Sequence, residues 1–305
     1  MNTNSKIYVA GHTGFVGRHL LNKLHNYKNV ITASKQTLNL LSAKSVDDFF
    51  YTYRPEYVFI CAAKVGSLSD YNTWSYEFLN VNLRIQINLI ETVIKYGVKR
   101  CLLLSSAAVF PNISTTSINE GCLLSGKLER NVESYALSKI VAAKLCEYSN
   151  RKIHRFTVIF SSNLYGPGSA RGNLVYDIID RISNAKIKNI KNVSIWGTGN
   201  ATRDLLYVED LATIMMSIIN SNKYKYDYIN VGSGVGVSIN TLNRMVAMLL
   251  GVDCKFEHDL SKPEGVMSRT LDISRLRSIW SSGFTDLSTG LNQTIKWYKE
   301  NKINV

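Results

Sequence analysis

Tyr135 and Lys139 stand four residues apart in Ser134-Tyr135-Ala136-Leu137-Ser138-Lys139, the spacing that puts two side chains on one face of a helix. The surrounding pattern predicts a helix from here to about Ser149. A phenol with its ordinary pKa of about 10 is a poor acid or base at neutral pH. An ammonium one turn away favours the phenolate and is expected to lower that value. The pair could then protonate the oxygen of a carbonyl being reduced. By itself the spacing fits a solvated helix face equally well, so the chemistry depends on a hydride source and a carbonyl substrate arriving beside it. Ser105 and Ser106 are a second candidate element. They end the apolar run Arg100-Cys101-Leu102-Leu103-Leu104, and a hydroxyl at the C-terminal edge of a parallel strand can hydrogen-bond a ligand.

The elements that would position these groups begin at the N-terminus. Lys6-Ile7-Tyr8-Val9-Ala10 reads as a buried strand leading into Gly11-His12-Thr13-Gly14-Phe15-Val16-Gly17, and Leu20, Leu21 and Leu24 mark a following helix. In this Gly-x-x-Gly-x-x-Gly loop Gly11 permits the tight turn and Gly14 lets backbone approach a pyrophosphate. Gly17 lets the helix pack on the strand, so the order strand, glycines, helix points to dinucleotide binding. A second strand over 30–34 would end in an acidic residue if the site were NAD-selective. Lys35 stands there instead and suits a 2′-phosphate, which favours NADP; a plain surface lysine is the alternative.

Tyr57-Val58-Phe59-Ile60-Cys61-Ala62-Ala63 is another strand, whose small Ala62 and Ala63 would let a cofactor pass over its end. Helices are expected over 46–53 and 80–96, and a further strand over 157–160. Alternation of strands and helices to this point predicts an α/β fold, a Rossmann-type doubly wound parallel sheet. The pattern changes near residue 165. Residues 1–165 are read as the cofactor domain, with a strand near 228–231 returning to it, and 166–305 as a smaller, interwoven C-terminal α/β lobe for substrate. Within the lobe, 174–182 and 237–250 read as helices, 193–196 as a strand, and 254–271 as a loop and strand.

Composition narrows the classes. The 305 residues carry 45% hydrophobic residues and a net charge of +13. The positive charge is dispersed, without the blocks or motifs of nucleic-acid readers, and a pocket for phosphorylated small molecules accounts for part of it. No apolar run is long enough to span a membrane, and the first residues lack the apolar core of a signal peptide. Five scattered cysteines form no Cys-x-x-Cys or zinc spacing. The expectation is a reduced cytoplasmic protein that binds no metal, nucleic acid or membrane.

Together these residues resemble the extended short-chain dehydrogenase/reductases, and within them the GDP-L-fucose synthase branch. The resemblance covers most of the chain. It is carried by Val9 to Gly17, Leu38-Asn39-Leu40, Ala62-Ala63-Lys64-Val65-Gly66, Ser105-Ser106, Tyr135-x-x-x-Lys139, Asn163-Leu164-Tyr165-Gly166-Pro167, Trp196-Gly197-Thr198-Gly199 and Leu271-Asp272. It implies NADPH as cofactor, with contacts from the glycine loop and from Asn39, Leu40, Lys64 and Asn82. Tyr135 would protonate the C4 oxygen of a GDP-linked 4-keto sugar while hydride reaches C4. Lys139 would hold the nicotinamide ribose and Ser105 would hydrogen-bond the same oxygen. Ser106, Asn163, Val175, Trp196, Arg203 and Arg269 would contact the nucleotide sugar, and guanidinium geometry supports the two arginines independently. A homodimer through the helices at 80–96 and 134–149 is also implied, as is a product destined for surface polysaccharide.

Three departures stand out. The family usually has arginine where Thr13 stands, which leaves Lys35 to carry more of the NADP preference. Bifunctional members use a cysteine just after the Ser-Ser pair and a histidine in the helix after Asn-Leu-Tyr-Gly-Pro to epimerise beside the ketone. Here those positions are Ala107 and Leu174, and no histidine occurs between His154 and His258. The resemblance therefore implies C4 reduction without epimerisation. Cys122 is the one nearby thiol that could substitute, against the plainer reading of a structural cysteine. The alternatives are a bifunctional synthase of the fucose or colitose type, a non-catalytic NADP-binding regulatory protein, and an enzyme for UDP- or dTDP-sugars.

Overall fold

The apolar runs become the strands of one parallel sheet. A computed structural model describes residues 1–112, 117–153, 155–221, 226–262 and 265–302. The first half alternates β1 (Lys6–Ala10), α1 (Phe15–Lys23), β2 (Asn29–Ile31), α2 (Ala43–Tyr53), β3 (Tyr57–Ile60), α3 (Leu68–Thr73), α4 (Ser75–Lys95), β4 (Arg100–Ser106), α5 (Glu133–Asn150) and β5 (Phe156–Ser161). The second half runs β6 (Asn163–Tyr165), α6 (Leu174–Ile187), β7 (Asn192–Trp196), β8 (Thr202–Tyr207), α7 (Val208–Asn220), β9 (Tyr228–Val231), β10 (Gly236–Ser238), α8 (Ile239–Leu250), β11 (Lys255–Asp259), β12 (Ser268–Arg269), α9 (Ser274–Arg277) and α10 (Leu287–Lys302).

The main sheet has the order β2-β1-β3-β4-β5-β9, and every pairing in it is parallel. This is the doubly wound class read from the sequence. Strand alternation divides the core in two. Tyr8, Ala10, Val58, Ile60 and Leu103 face the α2, α4 and α5 side, where Phe50, Val93 and Ala143 meet them. Ile7, Val9, Phe59 and Leu102 face the α1 and α7 side, where Leu20, Leu211 and Met215 meet them. Burial on both faces is why these strands read as continuous apolar runs. The lobe has its own core of Val175, Ile178, Ile179, Leu242, Val246 and Leu291, with the small sheets β10-β8-β12 (β6 also pairing β8) and β11-β7 beside it.

The chain winds to opposite sides of β1, with β2 on one flank and β3 on the other. A crevice at the C-terminal ends of strands is expected at such a switch point. Gly11 turns there at φ +84°, and a Cβ on it would lie 2.7 Å from the Ala62 nitrogen; one on Gly17 would lie 2.1 Å from the Gly11 oxygen. Both contacts demand glycine.

Several boundaries differ from the sequence expectation. The strand expected over 30–34 ends at Ile31. The second helix begins at Ala43 because Ser42 caps it, accepting from the Ser45 N–H. Ser67 and Asp70 form a capping box that starts α3, a helix the sequence reading passed over. Residues 236–238 are strand rather than helix, and 254–271 hold two strands. Among the described residues, no helix is long and apolar enough to cross a membrane.

Candidate active site

The loop from β1 delivers an open helix end. α1 begins after Gly14 with no side-chain cap, so its first N–H groups are available to an anion. Gly14 N–H closes the turn on the Gly11 oxygen at 3.0 Å, while Thr13 and Gly14 are exposed, Phe15 is half-buried and Val16 is buried. With the small Ala62 and Ala63 opposite, the residues fit a dinucleotide pyrophosphate. Lys35 is exposed just past β2.

Other expected cofactor residues act on the backbone. Asn82 is fully buried and spends both ends of its amide on Lys64, accepting from its N–H at 2.7 Å and donating to its carbonyl at 3.0 Å. Its side chain therefore fixes the segment after β3 rather than reaching a ligand. Lys64 Nζ sits 5.0 Å from the Phe78 ring centre. Asn39 is exposed and accepts from the Leu41 N–H at 3.0 Å; the Leu40 carbonyl accepts from Asn88 at 2.9 Å.

Tyr135, Lys139 and Ser105 come together at the ends of β4 and α5, all buried. Lys139 Nζ donates to the Leu104 carbonyl at 3.1 Å and lies 5.7 Å from the Tyr135 ring centre. Among the described residues, Ser105 Oγ is buried without a hydrogen-bond partner. One expectation is corrected. Burial pushes the Tyr135 phenol above its usual value, and Tyr71 adds to the rise; the ammonium does not lower it. Burial instead holds Lys139 down to about 8. The ammonium is engaged with a carbonyl, and desolvation outweighs its pull on the phenol.

Tyr71, on α3, was not singled out from sequence. Its ring centre is 5.2 Å from that of Tyr135 and 4.5 Å from that of Phe78, and its hydroxyl accepts from the Gly66 N–H at 3.3 Å. The Ser67-x-x-Asp70 capping signal was the available clue.

The residues expected to contact a substrate divide. Ser106 Oγ accepts from the Ala108 N–H at 3.2 Å and starts a short turn. Asn163, on β6, donates to the Asp204 carbonyl at 3.4 Å. Trp196 is 53% exposed at the end of β7. Arg203 and Arg269 are register partners on β8 and β12. Val175 does not reach a ligand: its side chain is in the lobe core, and its N–H bonds the Asn173 cap at 3.1 Å. That is a correction, since sequence could not say which way α6 rotates.

The sequence profile described as the NAD dependent epimerase/dehydratase family matches residues 7–232. The chain is 35% identical over 311 residues to a putative GDP-L-fucose synthase of Arabidopsis thaliana, covering 99% of this chain and 94% of that one. It is 30% identical over 315 residues to the GDP-L-fucose synthase of Escherichia coli, covering 98% of each. A GDP-mannoheptose C4 reductase from Campylobacter jejuni, solved with NADP bound, superposes with a TM-score of 0.90 at 29% identity, covering 98% of this chain and 99% of that one.

The chain belongs to the NAD dependent epimerase/dehydratase family. Within these extended short-chain dehydrogenase/reductases it lies in the branch of the GDP-L-fucose synthases and GDP-heptose reductases. Two of the positions that the resemblance singled out can be located. Ala107 is buried in the turn that follows β4, and Leu174 opens α6, packed against the lobe core. Neither side chain can move a proton. Cys122 sits on a turn whose Glu120, Gly121 and Leu123 line a groove of about 400 Å³ with Lys144 and Glu147. The Cys122 side chain is half-buried and packs against the core on the α2, α4 and α5 side.

Proposed function

We propose that the protein is an NADPH-dependent 4-ketoreductase of a GDP-linked 4-keto-6-deoxy sugar, hexose or heptose, that leaves C3 and C5 as supplied. What carries this reading is the buried Ser105, Tyr135 and Lys139 set, taken with Ala107 and Leu174 where the resemblance expects the bifunctional cysteine and histidine. Bound NADPH supplies the hydride to C4. Tyr135 donates its proton to the C4 oxygen, and its raised pKa keeps that proton in place until charge develops there. Ser105 Oγ donates a hydrogen bond to the same oxygen. Lys139 steadies the nicotinamide ribose. Arg203 and Arg269 bind the diphosphate. The product fits a precursor of surface polysaccharide, and five free thiols fit a reducing cytoplasm.

Turnover in D₂O with NADPH and an enzymatically made GDP-4-keto-6-deoxy sugar should give product without solvent deuterium at C3 or C5. Label at either carbon would end the reduction-only reading. A second reading, a synthase that also epimerises, is favoured by the higher identity to a synthase (35%) than to the C4 reductase (29%); the same experiment decides between them.

The protein pairs with a second copy through α4 and α5. Leu137, Val141, Leu145 and Tyr148 are exposed on α5 at spacings that make one apolar stripe. Light scattering should give twice the 34.3 kDa chain mass, and Val141→Glu should return the monomer. A wild-type monomer would refute the pairing.

A further inference from the structure

Arg203 and Arg269 are in register on β8 and β12, and Arg269 is held by an internal carboxylate. Its Nη2 donates to Glu129 Oε2 at 3.0 Å, with the two side chains only 11% and 13% exposed. Its Nε is buried without a hydrogen-bond partner among the described residues. Arg203 borders the same spot. A Cβ on Gly265 would come 3.2 Å from Arg203 Nη2 and 3.4 Å from Glu129 Oε1. Glu129 also lies on the segment that enters the catalytic helix. The turn Arg130–Val132 follows it directly, and α5 then begins with Tyr135 in its first turn.

A guanidinium accepts a carboxylate or a phosphate with the same planar fork. A buried cation left unpaired is strongly unfavourable, so an empty anion site needs an internal counter-charge. A site with one donor on a carboxylate and another buried without a partner suits an anion that arrives and exchanges. We propose that Glu129 is the internal counter-anion of Arg269 and that the diphosphate of the nucleotide sugar takes its place. This rests on the reading above that Arg269 grips the diphosphate. Filling the site then frees Glu129, and the segment leading into α5 senses occupancy at the end of the helix that carries Tyr135.

The test uses GDP as probe and calorimetry on the full chain. Arg269→Gln should weaken GDP binding at least about tenfold, as expected for truncating one partner of a buried charged contact. Glu129→Gln should tighten it about threefold to tenfold, because the competing anion is gone. The same variant should melt lower than wild type without GDP and gain more from it. Glu129→Asp, which keeps the charge on a shorter stem, should shift affinity the same way by less and guards against a variant that does not fold. If Arg269→Gln leaves GDP affinity unchanged, the arginine is not a diphosphate ligand and both readings fall. If it weakens GDP but the Glu129 variants bind GDP no better than wild type, only the exchange is refuted. In the wild type, GDP should speed amide exchange over 127–132 and slow it over 266–270. Protection of both segments would mean that Glu129 keeps its arginine, and would overturn the proposal.

Discussion

Tyr135→Phe should lower kcat about 10²- to 10⁴-fold, the range for a lost general acid, and kcat/KM in parallel, because the proton transfer is made only in the transition state. NADPH affinity should hold, since the ring stays packed between Tyr71 and α5. NADPH oxidation followed under saturating substrate reads the first effect and cofactor titration the second. A variant with full turnover would remove Tyr135 from the mechanism and revive a non-catalytic, cofactor-binding reading. The pH dependence adds a signature specific to this burial. Lys139 is held to about 8, so its ammonium is present below that pH and lost above it. If the ammonium is needed, kcat/KM, which reports free-enzyme groups, should fall on the alkaline side with an apparent pKa near 8. Stability should move the other way. From about 8 to about 9 the unfolded lysine binds a proton that the folded one does not, so Lys139 makes the unfolding free energy rise with pH across that window. Above about 9 the buried thiols of Cys61, Cys101 and Cys146, all raised by burial, reverse the slope, and Tyr135 adds to the reversal above its ordinary value of 10. Activity falling while stability rises separates a lost catalytic ammonium from alkaline unfolding.

What could be read from the sequence was local. The glycine loop, the buried strands, Ser105 and the Tyr135/Lys139 spacing are short-range patterns, and their geometry follows from strand and helix periodicity. The doubly wound sheet followed because alternating strands and helices leave few other ways to bury both faces. What escaped depends on distant segments meeting. Tyr71 lies over Tyr135 from a helix that starts at a capping box. Glu129 and Arg269 are 140 residues apart. Asn82 and Val175 lie in helices that the sequence reading found, yet one amide clamps backbone and the other side chain is in the core. Rotation of a helix about its axis is set by packing, which one sequence leaves open. The direction of the Tyr135 shift escaped for the same reason. Spacing revealed the ammonium, whereas desolvation, the larger effect, needs the fold.

Asp204→Ala should be the most destabilising single change beside the site. The side chain is fully buried next to Arg203. Its Oδ1 accepts from the Ser233 N–H and hydroxyl, each at 2.8 Å, and its Oδ2 from the N–H groups of Gly234 at 3.2 Å and Leu271 at 3.3 Å. Gly232 makes room for it, since a Cβ there would lie 2.5 Å from Oδ2. One side chain thus joins β8 to the turn after β9 and to the segment after β12. Truncation leaves three backbone donors without partners, at about 1–3 kcal/mol for each one that stays dry. With some relief from entering water, a loss of about 3–5 kcal/mol is expected, a large share of the ~5–15 kcal/mol that holds a typical domain. Ser233→Ala removes the hydroxyl's bond to Asp204 and its contacts with the Val235 carbonyl and N–H, and should cost about 1–2 kcal/mol. Asp204→Asn is the sharper variant: it keeps the shape but turns an amide N–H₂ toward donors, so it should lie close to the alanine change rather than to wild type. Urea unfolding of the three variants measures the series. An asparagine variant as stable as wild type would show that shape, not the second acceptor oxygen, holds these segments. Because β8 and β12 carry Arg203 and Arg269 in register, the same loss of anchorage should weaken GDP binding in any Asp204 variant that remains folded. That ties the geometry of the diphosphate site to a carboxylate that need not touch the ligand.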